Sequence, residues 1–311
     1  MEQLIVRQGA ELTAQQITKD TYTSFIEYLD ASPKTVETYS RALRQFFRYL
    51  QAAGNMQPTR EDVIAFKEYL TQTGHKATTV QNYITAVKIF FSWTEQTERY
   101  PNIAAHVKGA KISREHKKDY LTSGQVKDLF SSIDRDTIKG KRDYAILTLA
   151  VTAGLRTIEL QRANIEDMRK AGDNIVLYIQ GKGRDEKAEY VKIPPQTEKA
   201  IREYLSFRGP ADPAEPLFTS TSHNNAGQRM TTRAISGLIK ERLVNAGYNS
   251  DRLTAHSMRH TAVTLALLGG ESLQEAQQFA RHANLTTTQI YAHNLNIAAN
   301  TCSSTIANAI F

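Results

Sequence analysis

Ile175-Val176-Leu177-Tyr178-Ile179, a turn at Gly181-Lys182-Gly183-Arg184-Asp185, and Tyr190-Val191-Lys192-Ile193 closed by Pro194-Pro195 make one hairpin in an otherwise helical pattern. β-branched and aromatic runs bounded by glycine and proline read as paired strands. Everything after Pro195 reads as helical. Before the hairpin, Tyr144 to Ala153 is an apolar helix stopped by Gly154, and a second helix follows at once with Arg156 in its first turn. Thr122 with Gln125 is a capping box and opens this half of the chain.

Further upstream the pattern is purely helical. Ser32-Pro33 offers an N-cap followed by proline at the first helical position, and Val36, Tyr39, Leu43, Phe46, Phe47 and Leu50 recur at helical spacing until Gly54. Thr59 with Asp62 starts another helix carrying Val63, Phe66 and Leu70. Thr78 with Gln81 is read as a third start, ahead of Val80, Ile84, Val87, Phe90 and Phe91. An earlier helix is expected over Thr23 to Leu29. The aromatics Phe46, Phe47, Phe90, Phe91 and Trp93 are expected in the bundle core rather than as base-stacking platforms. The fold expected is therefore mainly α: a four-helix N-terminal bundle, then a mixed α/β domain with a small antiparallel sheet.

With 311 residues the chain exceeds one core of ordinary size, and two domains are expected: 1–107 and 120–311, joined by a basic linker over 108–119. That linker carries Lys108, Lys111, Arg114, Lys117 and Lys118 against Glu115, a set suited to a phosphate backbone as well as to a solvated connection. The net charge of +7 favours a polyanionic partner. One cysteine, Cys302, excludes an internal disulfide and any multi-cysteine metal site. The expected setting is a reducing cytoplasm, since neither a signal peptide nor a membrane span is read in the chain.

Four stretches carry chemistry: Ala153-Gly154-Leu155-Arg156-Thr157-Ile158-Glu159-Leu160, the turn around Lys182, His256-Ser257-Met258-Arg259-His260-Thr261, and Arg281-His282, nine residues ahead of Tyr291. In this order they resemble the tyrosine recombinase (lambda-type integrase) family, most closely its short Xer-like members, over nearly the whole chain. The resemblance implies a helical core-binding domain followed by a catalytic domain, and functional positions at Arg156, Glu159, Lys182, His256, Arg259, His282 and Tyr291. One departure stands out: the family usually has glycine where Arg281 precedes the last histidine.

The chemistry of these residues agrees with that implication. Cutting a phosphodiester without metal needs a nucleophile, cations on the developing phosphorane and an acid for the leaving oxygen. Arg156 and Arg259 supply planar, permanently charged forks for the non-bridging oxygens. Arg156, directly after Gly154 at a helix start, also suits an anion site through outward-facing amides. Lys182 at a hairpin tip suits protonation of the 5′ oxygen. Tyr291 attacks and becomes a 3′-phosphotyrosine, so religation needs no ATP. Its helix is expected to be capped by Thr286-Thr287-Thr288-Gln289. His256 accepts the tyrosine proton or holds the phosphate, His282 donates to a phosphate oxygen, and Glu159 orients an arginine or histidine from behind.

His256 and His260, four apart, have a spacing used for zinc, but Ser257 stands where a metalloprotease motif has glutamate and no third ligand is evident. No metal or cofactor is expected, and His260 is read as a packing residue or as one that supports a neighbouring site residue from behind. The expected reaction is site-specific recombination of double-stranded DNA bearing short inverted sites, through a Holliday junction. The expected assembly is four protomers on two sites, with a second, related recombinase as one option. Ile297, Ile306, Ile310 and Phe311 mark a C-terminal tail expected to dock on a neighbouring protomer. Two other readings use the same residues: a type IB topoisomerase, which relaxes supercoils without pairing sites, and a sequence-specific regulator that binds without cutting.

Overall fold

The computed structural model describes residues 17–55, 57–112, 119–181, 183–298 and 301–310, which fall into two compact units, Met1–Glu115 and His116–Phe311. In the first unit, α1 (Lys19–Tyr28), α2 (Pro33–Ala52), α3 (Arg60–Gln72) and α4 (Ala77–Gln96) enclose a core of Phe25, Leu43, Phe46, Phe66, Ile84, Phe90 and Phe91. The expected aromatics are thus core residues, packed edge to face, with Phe25–Phe90 and Phe46–Phe66 ring centroids 5.2 and 5.1 Å apart. Phe47 lies partly buried at the margin of that core.

The caps read from sequence at Ser32 and Thr59 start α2 and α3; Ser32 Oγ accepts the Thr35 amide and the Asp62 carboxylate accepts the Thr59 amide at 2.7 Å. Two starts differ from expectation. Helix α1 begins at Lys19 rather than Thr23, because Thr18 and Thr21 form a capping box. Helix α4 begins at Ala77 with Lys76 as N-cap, so Thr78 lies inside it and Gln81 reaches Thr85 instead of a cap. After α4 the chain stays on this core through Tyr100, Ala104 and Val107, with the Tyr100 hydroxyl donating to the Pro58 carbonyl at 2.8 Å.

The second unit is built around α6 (Ile138–Thr152), whose Ala145, Ile146, Leu147, Leu149 and Ala150 are buried nearly all round. A helix apolar on every side must be covered on every side. It packs against α5 (Ser123–Ser131), α7 (Thr157–Arg162), α8 (Pro195–Arg208), α9 (Thr232–Asn245) and α10 (Ala255–Leu268). The sheet has three antiparallel strands in the order β1 (Met168–Ala171), β2 (Asn174–Ile179), β3 (Glu189–Ile193), with Leu177 opposite Met168 and Val191. The hairpin read from sequence is β2–β3, and β1 is an additional edge strand. The stretch between α8 and α9 is mostly irregular, a departure from the all-helical reading; Pro210, Pro213 and Pro216 fall in it and suit turns rather than helix.

Three helices follow α10: α11 (Leu273–Ala280), α12 (Leu285–Ala298) and α13 (Cys302–Ile310). The start of α12 is held by Asn284, whose Oδ1 accepts the Thr286 amide at 2.9 Å, so the threonines expected to cap it are helical residues. No described helix is long and apolar enough to cross a membrane.

Candidate active site

The site begins where α6 ends. Gly154 adopts φ +57°, and a Cβ there would lie 3.0 Å from Phe279 Cε1, so both the backbone and the packing require glycine. This turn aims the Gly154 carbonyl inward and delivers Arg156 to the N-cap of α7, one residue ahead of the first turn where it was expected. Glu159, 1% exposed, accepts the Arg156 amide on Oε2 at 2.8 Å and the Arg156 guanidinium on Oε1 at 2.9 Å. The outward-facing amide anticipated at Arg156 is therefore turned onto a carboxylate, and the attraction for an anion comes from the guanidinium.

Thr254 caps α10, which places His256, exposed, and Arg259, 1% exposed, three residues apart. Arg259 Nη1 donates to the Gly154 carbonyl at 2.6 Å, while its Nη2 has no hydrogen-bond partner among the described residues. A buried guanidinium with an unused donor costs free energy until an acceptor arrives. Burial, then Arg156 and Arg281, lower the Arg259 pKa to about 9, which leaves it charged at neutral pH. In front of it lies a groove of about 630 Å³ lined by Arg156, His256 and Arg259, and also by Arg233 and Lys240 of α9. The last two were not singled out from the sequence, although their i, i+7 spacing puts them on one helix face.

Tyr291 sits on α12, buried, with the His260 ring 4.3 Å away and the His282 ring stacked at 6.1 Å. The His260 ring therefore lies against the tyrosine. Burial raises the Tyr291 pKa, opposed by Arg259 and Arg156, so the phenol is neutral at pH 7. His282 Nδ1 lies 3.0 Å from Thr288 Oγ1. Burial, then Arg259, Arg156, His256 and Arg281, push the His282 pKa down to about 4. The same cations act on both Tyr291 and His282, so residues 135 positions apart in the chain share one electrostatic field. Arg281, at the end of α11, reaches Glu159 Oε2 with Nη2 at 2.9 Å.

Lys182 lies outside the described residues, as do Arg114, Lys117 and Lys118. The flanks of the Lys182 turn are held: Arg162 Nη1 donates to the Gly181 carbonyl at 3.0 Å, and Lys187 pairs with buried Asp167 at 2.5 Å. Lys108 and Lys111 are exposed on the first unit. Among the described residues no group of three or more His, Cys, Asp or Glu side chains is placed to hold a metal ion. The site thus offers two anchored guanidiniums and a histidine at a groove, with a buried tyrosine in the field of the guanidiniums. That is an arrangement for binding a phosphodiester and stabilising negative charge on it.

The chain as a whole is similar to proteins of one family. The profile of the Phage integrase family matches residues 119–296, and that of its N-terminal SAM-like domain matches residues 20–98. The chain is 30% identical over 266 residues to the tyrosine recombinase XerC of Pelobacter propionicus, covering 84% of this chain and 85% of that protein. It is 29% identical over 301 residues to XerC of Chlamydia muridarum, covering 88% and 93%. Among solved structures, the XerH site-specific recombinase bound to a palindromic difH substrate superposes with a TM-score of 0.71 at 22% identity, over 85% of this chain and 78% of that one. A lambda integrase dimer bound to a core site gives 0.69 at 17% identity, over 86% and 94%.

Proposed function

Because this chain belongs to the phage integrase family and is a tyrosine recombinase of the lambda-integrase/Xer type, an enzyme that breaks and rejoins DNA by tyrosine transesterification, we propose that Tyr291 is its nucleophile and that Arg156 and Arg259 hold the scissile phosphate. In the forward step the Tyr291 oxygen bonds to phosphorus and the bond from phosphorus to the 5′ oxygen breaks. The phenol proton leaves to His256 or to water, and the 5′ oxygen takes a proton from Lys182. The 3′-phosphotyrosine keeps the bond energy, so a 5′ hydroxyl from a second duplex reverses the step without ATP. Arg156 and Arg259 neutralise the non-bridging oxygens, His282 donates to one of them, and Glu159 fixes Arg156 from behind.

The observation that carries this reading is the pair of guanidiniums, one on the Glu159 carboxylate and one on the Gly154 carbonyl, whose charge acts on buried Tyr291. The wider proposal has the unit of residues 1–107 and the unit of residues 120–311 grip a duplex with short inverted sites, the basic linker 108–119 lying along the backbone. With two protomers on each duplex, two such complexes then form a tetramer in the cytoplasm, exchange their C-terminal tails and pass through a Holliday junction. The exposure of Ile306 and Ile310 on α13 supports tail exchange.

The test is trapping. Purified protein is incubated with a pool of random-sequence duplexes carrying a nick, and covalent adducts are recovered under denaturing conditions and their DNA ends sequenced. The expected result is an adduct with a recurring sequence that Tyr291→Phe abolishes. Tight binding with no adduct favours a regulator. Relaxation of a supercoiled plasmid lacking the recovered sequence favours a topoisomerase.

A further inference from the structure

Arg281 stands where left-handed backbone is required: at the end of α11 it has φ +53° and ψ +46°. Glycine is the usual residue in this conformation, because a Cβ crowds the following carbonyl. Despite that strain the side chain is turned inward and is 11% exposed. Nη2 donates to Glu159 Oε2 at 2.9 Å and to the Gly154 carbonyl at 3.3 Å; Nη1 donates to the carbonyls of Phe279 at 3.0 Å and Ala153 at 3.5 Å. A charge is therefore buried at a strained position, a combination that persists only where the surroundings hold it.

The partners give it a purpose. Glu159 is what fixes Arg156, and the Gly154 carbonyl is what fixes Arg259. Arg281 bonds to both anchors. Its backbone also sets the residue that follows, since the amides of Arg281 and His282 both turn back onto α11, the latter onto the Gln277 carbonyl at 3.1 Å. One guanidinium fork spans two acceptors that an ammonium, as a point charge, does not span equally.

We propose that Arg281 is a positioning residue that locks the two phosphate-holding arginines into one geometry through Glu159 and Gly154. It rests on the reading of the site given above, and it assigns Arg281 no contact with the DNA. A small displacement of groups that must meet one phosphate is costly in rate even where binding is retained.

The experiment measures single-turnover cleavage of the nicked duplex recovered by trapping, with protein saturating, together with the Kd for the same duplex. Arg281→Gly, which suits the backbone, should slow cleavage about tenfold or more while Kd moves less than about twofold. Arg281→Lys should restore part of the rate. Because Arg281 acts through Glu159, the double variant Arg281→Gly with Glu159→Gln should cleave no more slowly than the worse single variant. Wild-type cleavage by Arg281→Gly, multiplicative losses in the double variant, or a parallel loss of Kd and rate would each overturn the proposal while leaving Tyr291 chemistry intact. Absence of an adduct from the wild-type protein overturns the reading of the site and this proposal with it.

Discussion

His282 shows how a residue's environment sets what it does. Its ring is held neutral because burial, then Arg259, Arg156, His256 and Arg281, push its pKa down to about 4. A phosphodiester seated between Arg156 and Arg259 cancels much of that field and offers an acceptor to the imidazolium, so the pKa rises on binding DNA. The sign follows from linkage. Where the complex binds more protons than the free protein, affinity increases as pH falls, and the gain levels off once the free histidine is itself protonated, near about pH 4. DNA affinity measured by fluorescence anisotropy should therefore be higher at about pH 5.5 than at about pH 7.5, and His282→Asn should remove part of that slope. An unchanged slope in His282→Asn would assign the effect to other groups. Gly154 is the other residue with a sharp expectation. Gly154→Ala combines left-handed backbone with a Cβ 3.0 Å from Phe279, and should cost about 2 kcal/mol in chemical denaturation. It also displaces the carbonyl that anchors Arg259, so cleavage should fall further than DNA affinity.

Among the elements, the turn between β2 and β3 depends on a few polar ties. Lys187 pairs with Asp167, whose side chain is almost wholly buried and also accepts the Asn164 amide at 2.6 Å. Asp167→Asn leaves the ammonium without its counter-charge; because Lys187 is partly exposed, the cost should be about 1–3 kcal/mol rather than that of a fully buried pair. Amide exchange over residues 183–188 should quicken more than exchange in α6, and equal changes in both would refute a local tether. These ties also show what the sequence made legible. Ser32-Pro33, Thr59 with Asp62, and Thr122 with Gln125 work through side chains within one turn, so they can be read in place. The start of α4 uses only the Lys76 carbonyl, which any residue possesses, and Thr78 with Gln81 imitated a signal the helix does not use. The four-residue strand β1 carries no apolar alternation to announce it, having an exposed Arg169-Lys170 centre. The motif is read by residue type and order, and the fold brings Arg156, Glu159, Arg259, Arg281 and Tyr291 within one electrostatic neighbourhood. The Glu159–Arg281 pair is not legible in this way, because 122 positions separate partners that only the fold brings together.

At the scale of the whole molecule, α13 is the element that a single chain does not account for. A helix of nine residues is marginal in water without a surface to pack on. Yet Ile306 and Ile310 are 59% and 68% exposed, and every described side chain of α13 is exposed. Burying two isoleucines on another protomer is worth about 2–4 kcal/mol per tail before ordering costs. In the proposed ring of four, each protomer would give one tail and receive one, so the gain would be repeated around the ring. A chain ending at Asn296 should therefore keep affinity for one duplex and still form the Tyr291 adduct, but should fail to hold two duplexes together in sedimentation. Cys302, the single cysteine of the chain and exposed on α13, gives an independent reading. A maleimide should label it readily in the free protein and slowly in the paired complex, because docking covers the helix. If pairing of two duplexes survives the truncation, and Cys302 labels equally fast in both states, the tails do not bridge protomers and synapsis must come from surfaces elsewhere on the two units.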